Sequence, residues 1–120
     1  MARKRRYTKK YTPKNEFRIN NSPAAKGHPA YIFGETKASY KSFGLTSNEF
    51  DRERTIRLRA NPDPRKTEPS FIRIKPVTTN KKYYSAPKSD WSFSKEDQVI
   101  VRHLKKDYKK RAYRRPKKKK

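Results

Sequence analysis

The feature that most constrains this chain is a shortage of core-forming residues beside a large excess of positive charge. Leu, Ile, Val and Phe together number 18 of 120 residues, whereas 35 Lys and Arg residues face 11 Asp and Glu residues, a formal net charge of +24. A highly charged chain with fewer than about 20% of these apolar types is usually disordered. One small domain is therefore the most that this sequence can bury.

The positive charge is concentrated towards the two ends of the chain. Residues 1–18 hold eight basic residues and one acidic residue, and residues 102–120 hold twelve and one. The remainder is nearly balanced, with 15 basic and 9 acidic residues. We therefore predict a basic disordered arm and linker over 1–27, a small β-rich domain with a C-terminal helix over 28–110, and a basic disordered tail over 111–120.

Several classes of protein are excluded by composition. The chain has no cysteine, which rules out disulfides, thiolate metal sites and a cysteine nucleophile, and its three glycines form no phosphate-binding loop. Apolar stretches such as Ala30–Phe33 have about four residues, far below the roughly 20 that a membrane span needs. We expect no cofactor, no metal and no membrane partner. A cytoplasmic location is expected, with nuclear or virion-associated locations left open.

Short alternating segments predict that the domain is mainly β. Ala30–Phe33 and Ser39–Leu45 flank Gly34–Ala38, a pattern typical of a hairpin. Thr55–Arg59 and Phe71–Lys75 alternate apolar and basic residues with the two-residue period of a half-buried strand. We therefore predict a small SH3-like barrel or a curled antiparallel sheet. Its inward-facing residues in the last two strands should be Ile56, Leu58, Phe71 and either Ile72 or Ile74.

A single helix is predicted after Trp91. Ser94 followed by Asp97 approximates a capping box at a helix start. Apolar residues then recur at helical spacing, which predicts a stripe that docks onto the sheet. The members of that stripe are Ile100, Val101, Leu104 and Tyr108.

Lysines and arginines interleaved with tyrosines indicate that the partner is nucleic acid. Lys and Arg release counterions from a polyphosphate backbone, and aromatic rings stack on unpaired bases. RNA is favoured over DNA, although no recognition helix or aromatic RNA-binding motif decides the matter. The predicted contacts in the arms and helix are Arg3, Lys4, Arg5, Arg6, Tyr7, Lys9, Lys10, Tyr11, Lys105, Lys109, Lys110, Arg111, Arg114 and Arg115.

The two alternating strands predict a second basic surface. If their apolar residues face inward, the basic residues between them face outward and can contact phosphates. This predicted β-surface consists of Arg57, Arg59, Arg73 and Lys75.

Residues 28–47 carry a resemblance to a known family. The segment His28-Pro29-Ala30-Tyr31-Ile32-Phe33, followed by Phe43-Gly44-Leu45-Thr46-Ser47, resembles the N-terminal part of the PemK/MazF-like toxins. The resemblance implies an SH3-like barrel that cleaves single-stranded RNA without a metal. It places His28 at the basic catalytic position, where the family usually has Arg, and Thr46, with Ser47, at the hydroxyl position.

Three functions are consistent with the sequence. The leading one is a non-catalytic nucleic-acid-binding protein that uses its basic arms and β-surface. The second is a metal-independent endoribonuclease, which the resemblance implies, neutralised by an acidic protein partner. The third is a structural component that neutralises charge inside a nucleoprotein assembly.

Overall fold

An antiparallel sheet and one C-terminal helix make up the fold. The computed structural model describes residues 11–47 and 54–110 with their side chains, and residues 111–114 as helical backbone. Over this part of the chain the predicted fold class, mainly β with one C-terminal helix, is confirmed. The elements are β1 (Thr12–Asn20), β2 (His28–Glu35), β3 (Ser39–Thr46), β4 (Thr55–Arg57), β5 (Phe71–Arg73), β6 (Val77–Asn80) and α1 (Lys95–Arg114).

Strand β3 is the centre of the sheet, whose order is β1-β2-β3-β5-β4. One edge of β3 pairs with β2. Its other edge is divided, because Ser39–Ser42 pair with β6 whereas Leu45 and Thr46 pair with β5. All of these pairings are antiparallel. β3 is therefore the strand that holds the two halves of the sheet together.

The predicted hairpin between β2 and β3 is confirmed. Its turn is closed by the Thr36 N–H, which donates to the Ser39 carbonyl at 2.8 Å, and by the Ser39 N–H, which donates to Thr36 Oγ1 at 3.1 Å. The register places Ala30 opposite Gly44 and Tyr31 opposite Phe43. Because successive side chains alternate, these two pairs lie on opposite faces of the sheet.

The hydrophobic core lies on the face that α1 covers, which we call the helix face. Its buried aromatic and aliphatic side chains form one cluster with Leu58 of the loop after β4 and with Val101 and Leu104 of α1. The opposite face, the far face, carries a smaller cluster of Ala30, Ile32 and Tyr40. The helix-face residues of the strands are Phe17, Tyr31, Phe33, Phe43, Leu45 and Ile72.

Helix α1 begins and packs as predicted. The Asp97 N–H donates to Ser94 Oγ at 3.2 Å, which is the expected capping contact. Val101 and Leu104 are buried, and Ile100 and Tyr108 pack against the same cluster. The helical backbone continues to Arg114, beyond the boundary predicted at 110. Among the described residues, no helix has the length and apolar character needed to cross a membrane.

The predicted N-terminal arm is wrong from residue 12 onwards, because β1 belongs to the sheet. Phe17 is only 4% exposed and lies in the core. The outer edge of β1 is also bonded: the Lys88 N–H donates to the Phe17 carbonyl at 2.8 Å, and the Ser85 N–H donates to the Ile19 carbonyl at 2.9 Å. Pro13 is accommodated at an irregularity between Pro13 and Glu16. Residues 1–10 lie outside the described part of the chain.

Three details of the second half of the sheet also differ from prediction. β4 and β5 have three residues each, rather than the five of Thr55–Arg59 and Phe71–Lys75. Ile56, predicted to face inward, is 37% exposed, because the short strand β4 is at the edge of the sheet. β6 is an unpredicted strand, since Val77–Asn80 is almost entirely polar. Leu58, Phe71 and Ile72 are buried as predicted.

Candidate nucleic-acid interface

A buried carboxylate fixes the position of α1 on the sheet. Asp97 is fully buried, and its two carboxylate oxygens accept the Arg59 N–H at 2.8 and 2.9 Å. The Ala60 N–H donates to the same group at 3.2 Å. Asp97 lies in the first turn of the helix, and it accepts the two backbone N–H groups that follow β4. This bond sets which side of α1 faces the core.

The side of α1 that flanks its core-facing residues presents a row of cations, which we call the cationic stripe. Its members are spaced three and four residues apart, so that they lie on neighbouring turns of one helical face. Arg102, Lys106 and Lys109 are exposed, whereas Lys105 is half-buried at the border with the core. The stripe consists of Arg102, Lys105, Lys106 and Lys109.

The carboxylates of the described residues do not neutralise the stripe. The side chains that the structure describes include 21 Lys and Arg but only 8 Asp and Glu. Glu16 and Glu35 already engage Lys14, Arg18 and Lys81. In residues 11–47 and 54–110, no carboxylate oxygen lies within 4.0 Å of a stripe nitrogen. The stripe is thus an uncompensated line of positive charge.

Lys105 shows the electrostatic consequence of this arrangement. Burial, and then the charges of Lys109 and Arg102, lower the pKa of its amine. Its nearest polar partner is the Tyr31 hydroxyl, to which Nζ donates at 3.3 Å, and that hydroxyl in turn donates to Asn15 Oδ1 at 2.7 Å. Burial raises the pKa of Tyr31 to about 12. An anion beside the stripe would relieve the repulsion among these cations.

An open cleft of about 860 Å³ runs between β1 and the first half of α1, and we call it the aromatic cleft. Two of its aromatic side chains, Trp91 and Phe93, are only half-buried, so their rings are accessible from the cleft. Lys14, Lys88, Arg102 and Lys105 add positive charge around them. The cleft is therefore continuous with the cationic stripe through Arg102 and Lys105.

The indole of Trp91 packs against the core at the edge of this cleft. Its ring lies 5.8 Å from that of Phe17, centroid to centroid. Its Nε1 is buried and has no hydrogen-bond partner among the described residues. A shift of the ring on ligand binding would therefore break no hydrogen bond of the indole.

The predicted β-surface is not one surface in the structure. Arg73 and Lys75 line a cavity of about 360 Å³ on the far face, together with His28. Arg57 is exposed on β4, where it pairs opposite Phe71. Arg59 lies beyond the end of β4, and its N–H is bonded to Asp97. Only Arg73 and Lys75 of the four share a concave site.

His28, Thr46 and Ser47, singled out by the resemblance, are brought together by the hairpin register. All three border a small cavity of about 100 Å³, which also includes Asp63. His28 is exposed and its Nδ1 lies 2.7 Å from the Ala25 carbonyl, so this nitrogen carries the donated proton. Thr46 is 5% exposed and Ser47 is exposed.

The other predicted contacts fall in different places. Tyr11 packs edge-on against Phe33 and lies beside Tyr108, so its ring belongs to the fold. Lys109 and Lys110 are exposed on α1, and Arg111 and Arg114 are described only as helical backbone. Residues 3–10 and Arg115 lie outside the described part of the chain.

The aromatic cleft and the role of Asp97 are absent from the sequence-based predictions. Trp91 and Phe93 are two residues apart in an extended segment, a spacing that puts both rings on one side of the chain. That spacing could have indicated an aromatic surface, but nothing in the sequence indicates that β1 lies opposite these rings and completes the cleft. Across the described residues no group of three or more His, Asp or Glu side chains is placed to hold a metal ion.

Comparison with known proteins gives no further assignment. The chain matches no protein-family model, no curated protein and no solved structure. Any function proposed for this chain therefore rests on the charge, burial and geometry of its own residues.

Proposed function

We propose that this protein binds nucleic acid, with RNA favoured over DNA, through the cationic stripe and the aromatic cleft. The observation that carries the proposal is that the uncompensated stripe of α1 adjoins accessible aromatic rings. A charged surface for solubility needs cations but has no use for half-buried aromatic side chains that line an open cleft. A nucleic-acid surface uses both, since cations contact phosphates and rings stack on bases.

The two parts of the site have separate tasks in this proposal. Arg102, Lys106 and Lys109 stand about one helical turn apart, and each can neutralise a phosphate along a backbone lying over α1. Trp91 and Phe93 offer faces to bases that are not paired. Unpaired bases are the usual targets of sequence-tolerant aromatic platforms, and RNA displays them in loops and ends. The phosphates of a single strand thus meet the cations of α1, and its unpaired bases meet the rings of the cleft.

The first experiment measures binding of the full chain to single-stranded RNA, to the matching single-stranded DNA and to duplex DNA over a range of salt. The test variant carries Arg102→Gln, Lys106→Gln and Lys109→Gln. Its control carries Lys26→Gln, Lys37→Gln and Lys82→Gln, which removes the same charge from exposed positions outside α1.

We expect the stripe variant to lose about tenfold or more in RNA affinity at moderate salt. Its plot of log affinity against log salt should flatten by about two, as three lost phosphate contacts require. The control should keep most of the affinity and the slope. Equal losses in the two variants would contradict the proposal, because net charge alone would then explain binding.

Trp91 supplies an independent measurement, since it is the only tryptophan of the chain. Stacking of a base on the indole should quench or shift its fluorescence when single-stranded RNA binds. Duplex DNA of the same length should change the fluorescence less, because its bases are already stacked. Phe93→Leu should weaken single-strand binding several-fold while the salt slope stays unchanged. If Trp91 fluorescence does not change when single-stranded RNA binds, the cleft is not part of the binding site.

A second candidate, a metal-independent endoribonuclease, is favoured by one observation. His28, Thr46 and Ser47 border the same small cavity. Since Nδ1 of His28 donates to the Ala25 carbonyl, Nε2 is left to accept a proton from a ribose 2′-hydroxyl. The hydroxyls of Thr46 and Ser47 would then support the phosphate.

The cleavage test incubates labelled single-stranded RNA with the protein in EDTA. Discrete fragments that disappear in His28→Ala and in Thr46→Val, while affinity is retained, would establish this activity. Fragments that persist in both variants would point to a contaminating nuclease. Intact RNA would leave binding as the function.

A further inference from the structure

The far-face cavity lies on the side of the sheet that α1 does not cover. Its floor consists of small residues from paired strands, with Ala30 of β2 directly opposite Gly44 of β3 and Ser42 beside them. Its walls come from the turn after β1, which includes Ala24, from Lys75 in the β5–β6 connection and from Val77 at the start of β6. The volume is about 360 Å³. Because the sheet separates it from α1, this cavity is distinct from the proposed nucleic-acid interface.

Gly44 gives the cavity one of its cationic walls. A Cβ at this position would stand 3.1 Å from Arg73 Cδ and 3.5 Å from Arg73 Nε, so the absent side chain allows the arginine to lie across β3. Ser42 is fully buried, and its Oγ lies 3.0 Å from the Tyr84 hydroxyl. The Tyr84 hydroxyl also accepts the Asn20 Nδ2–H at 3.3 Å. The Ser42 hydroxyl is therefore satisfied within the protein. Ala30 and Ser42 are buried, so Gly44 is the part of the floor that a ligand can reach.

The charged groups that line the cavity are cationic. His28 is oriented by its 2.7 Å contact to the Ala25 carbonyl, which leaves Nε2 available. Lys75 is exposed, and within residues 11–47 and 54–110 no carboxylate forms an ion pair with it. Arg73 is the third basic residue. Of the described residues that line the cavity, none is Asp or Glu.

We propose that the far-face cavity binds a nucleoside monophosphate, either free or as the terminal nucleotide of a strand. The phosphate monoester lies against Lys75 and Arg73. The planar base lies over Gly44, between Ala24 and Val77. A cavity of this size is at the lower end of small-molecule sites and accommodates one nucleotide rather than a continuous strand. This inference is independent of binding through the cationic stripe and the aromatic cleft, because it concerns the other face of the sheet, although it shares His28 with the candidate ribonuclease site.

The test titrates the full chain with adenosine monophosphate, adenosine and inorganic phosphate in a calorimeter. We expect the monophosphate to bind at least tenfold more tightly than either fragment, because only it fills both halves of the cavity. Lys75→Gln should weaken it about tenfold. Lys82→Gln is the matched control, since Lys82 is an exposed lysine of the same region that does not line the cavity. Ala24→Phe should block binding by filling the cavity from an exposed position of the turn.

Two comparisons complete the design. A 5′-phosphorylated hexaribonucleotide that binds more tightly than its 5′-hydroxyl form, with the difference removed by Lys75→Gln, identifies a strand end as the ligand. Binding of the free monophosphate alone identifies a free nucleotide. The inference is overturned if adenosine binds as tightly as its monophosphate, or if neither Lys75→Gln nor Ala24→Phe weakens binding. The stripe variant separates the two proposals, because it should lose RNA affinity and keep monophosphate affinity.

Discussion

The two faces of the sheet are built from the same strands but filled with side chains of different size. On the helix face, Phe33 and Phe43 stack with their ring centroids 4.6 Å apart. On the far face, the neighbouring positions Ala30, Ser42 and Gly44 leave a cavity. Alternation along β2 and β3 therefore places the large aromatic side chains on one side and the small residues that leave the far-face cavity on the other.

This contrast explains how a chain with so few apolar residues combines a stable fold with available surface. The aromatic residues are concentrated under α1, where each buries a large area. The far face then needs little apolar packing of its own, and an edge-to-face pair of Tyr40 and Tyr84, with ring centroids 5.2 Å apart, closes one part of it.

The strongest effect is expected from a comparison of two adjacent residues of β3. Phe43→Ala on the helix face should lower the free energy of unfolding by about 3–5 kcal/mol, because it leaves a cavity in the core. Ser42→Ala on the far face should cost about 1 kcal/mol, the value of one hydrogen bond. Urea denaturation measures both. If Phe43→Ala does not fold, Phe43→Leu should still cost more than Ser42→Ala, and equal costs would show that the two faces are alike.

The next effect tests the carboxylate that holds α1 on the helix face. Asp97→Ala should lower the free energy of unfolding by about 2–4 kcal/mol, since the Arg59 and Ala60 N–H groups lose their acceptor. Asp97→Asn keeps one acceptor oxygen and should cost less. Glu96→Gln is the control, as an exposed acid in the same helical turn whose removal should cost about 0.5 kcal/mol. Similar losses for Asp97→Ala and Glu96→Gln would mean that the bond to the loop contributes nothing.

The pH dependence of stability tests the burial of Tyr31 on the helix face. Its pKa of about 12 lies above the ordinary 10.0, so the folded state disfavours the ionised form and stability falls as the pH rises from 10 to 12. Two pKa units correspond to about 2–3 kcal/mol. Tyr31→Phe should flatten this decline in urea midpoints measured at pH 9, 10 and 11. The lowered pKa of Lys105 has the opposite effect, because it makes stability rise with pH below 10.5. If stability declined as steeply in Tyr31→Phe as in the unmodified protein, the decline would be due to another group.

The weakest effect on stability belongs to the far face. Gly44→Ala adds a methyl group 3.1 Å from Arg73 Cδ, part of a flexible side chain that can shift. The free energy of unfolding should change by less than about 1 kcal/mol, since the alanine also reduces the entropy of the unfolded chain. Monophosphate affinity should nevertheless fall several-fold because the floor is raised. A loss of stability above about 2 kcal/mol would show that the far face is as tightly packed as the core.

The parts of the fold with a strong local pattern were predictable from sequence. The hairpin of β2 and β3 has two apolar runs around a short turn, and α1 has a cap followed by residues at helical spacing. β1 has no such signal, because Phe17 is surrounded by Lys14, Glu16 and Arg18. The structure shows why these charges are tolerated in a strand: Arg18 pairs with Glu16 at 2.6 Å and lies over the Tyr40 ring at 4.7 Å. That compensation depends on tertiary contacts.

The candidate sites were predictable to different degrees for the same reason. The proximity of His28 to Thr46 follows from the hairpin register, which local sequence determines. The aromatic cleft requires β1 to lie opposite α1, and the far-face cavity requires β5 and β6 to share β3. Strand pairings between distant segments leave no periodic trace in the sequence. The residues of these sites could be picked out from the sequence, but their grouping could not, because it depends on long-range strand pairing.

The position of α1 along the chain has a consequence during synthesis. The strands that carry Phe33 and Phe43 are complete at Thr46, whereas α1, which covers them, starts at Lys95. At the usual rates of translation the ribosome needs about 3–10 seconds to add the intervening residues. During that interval the aromatic side chains of the nascent sheet have no cover. Residues 1–46 already hold eleven Lys and Arg against two Glu. We expect this net positive charge to repel neighbouring copies and to limit aggregation before α1 is made.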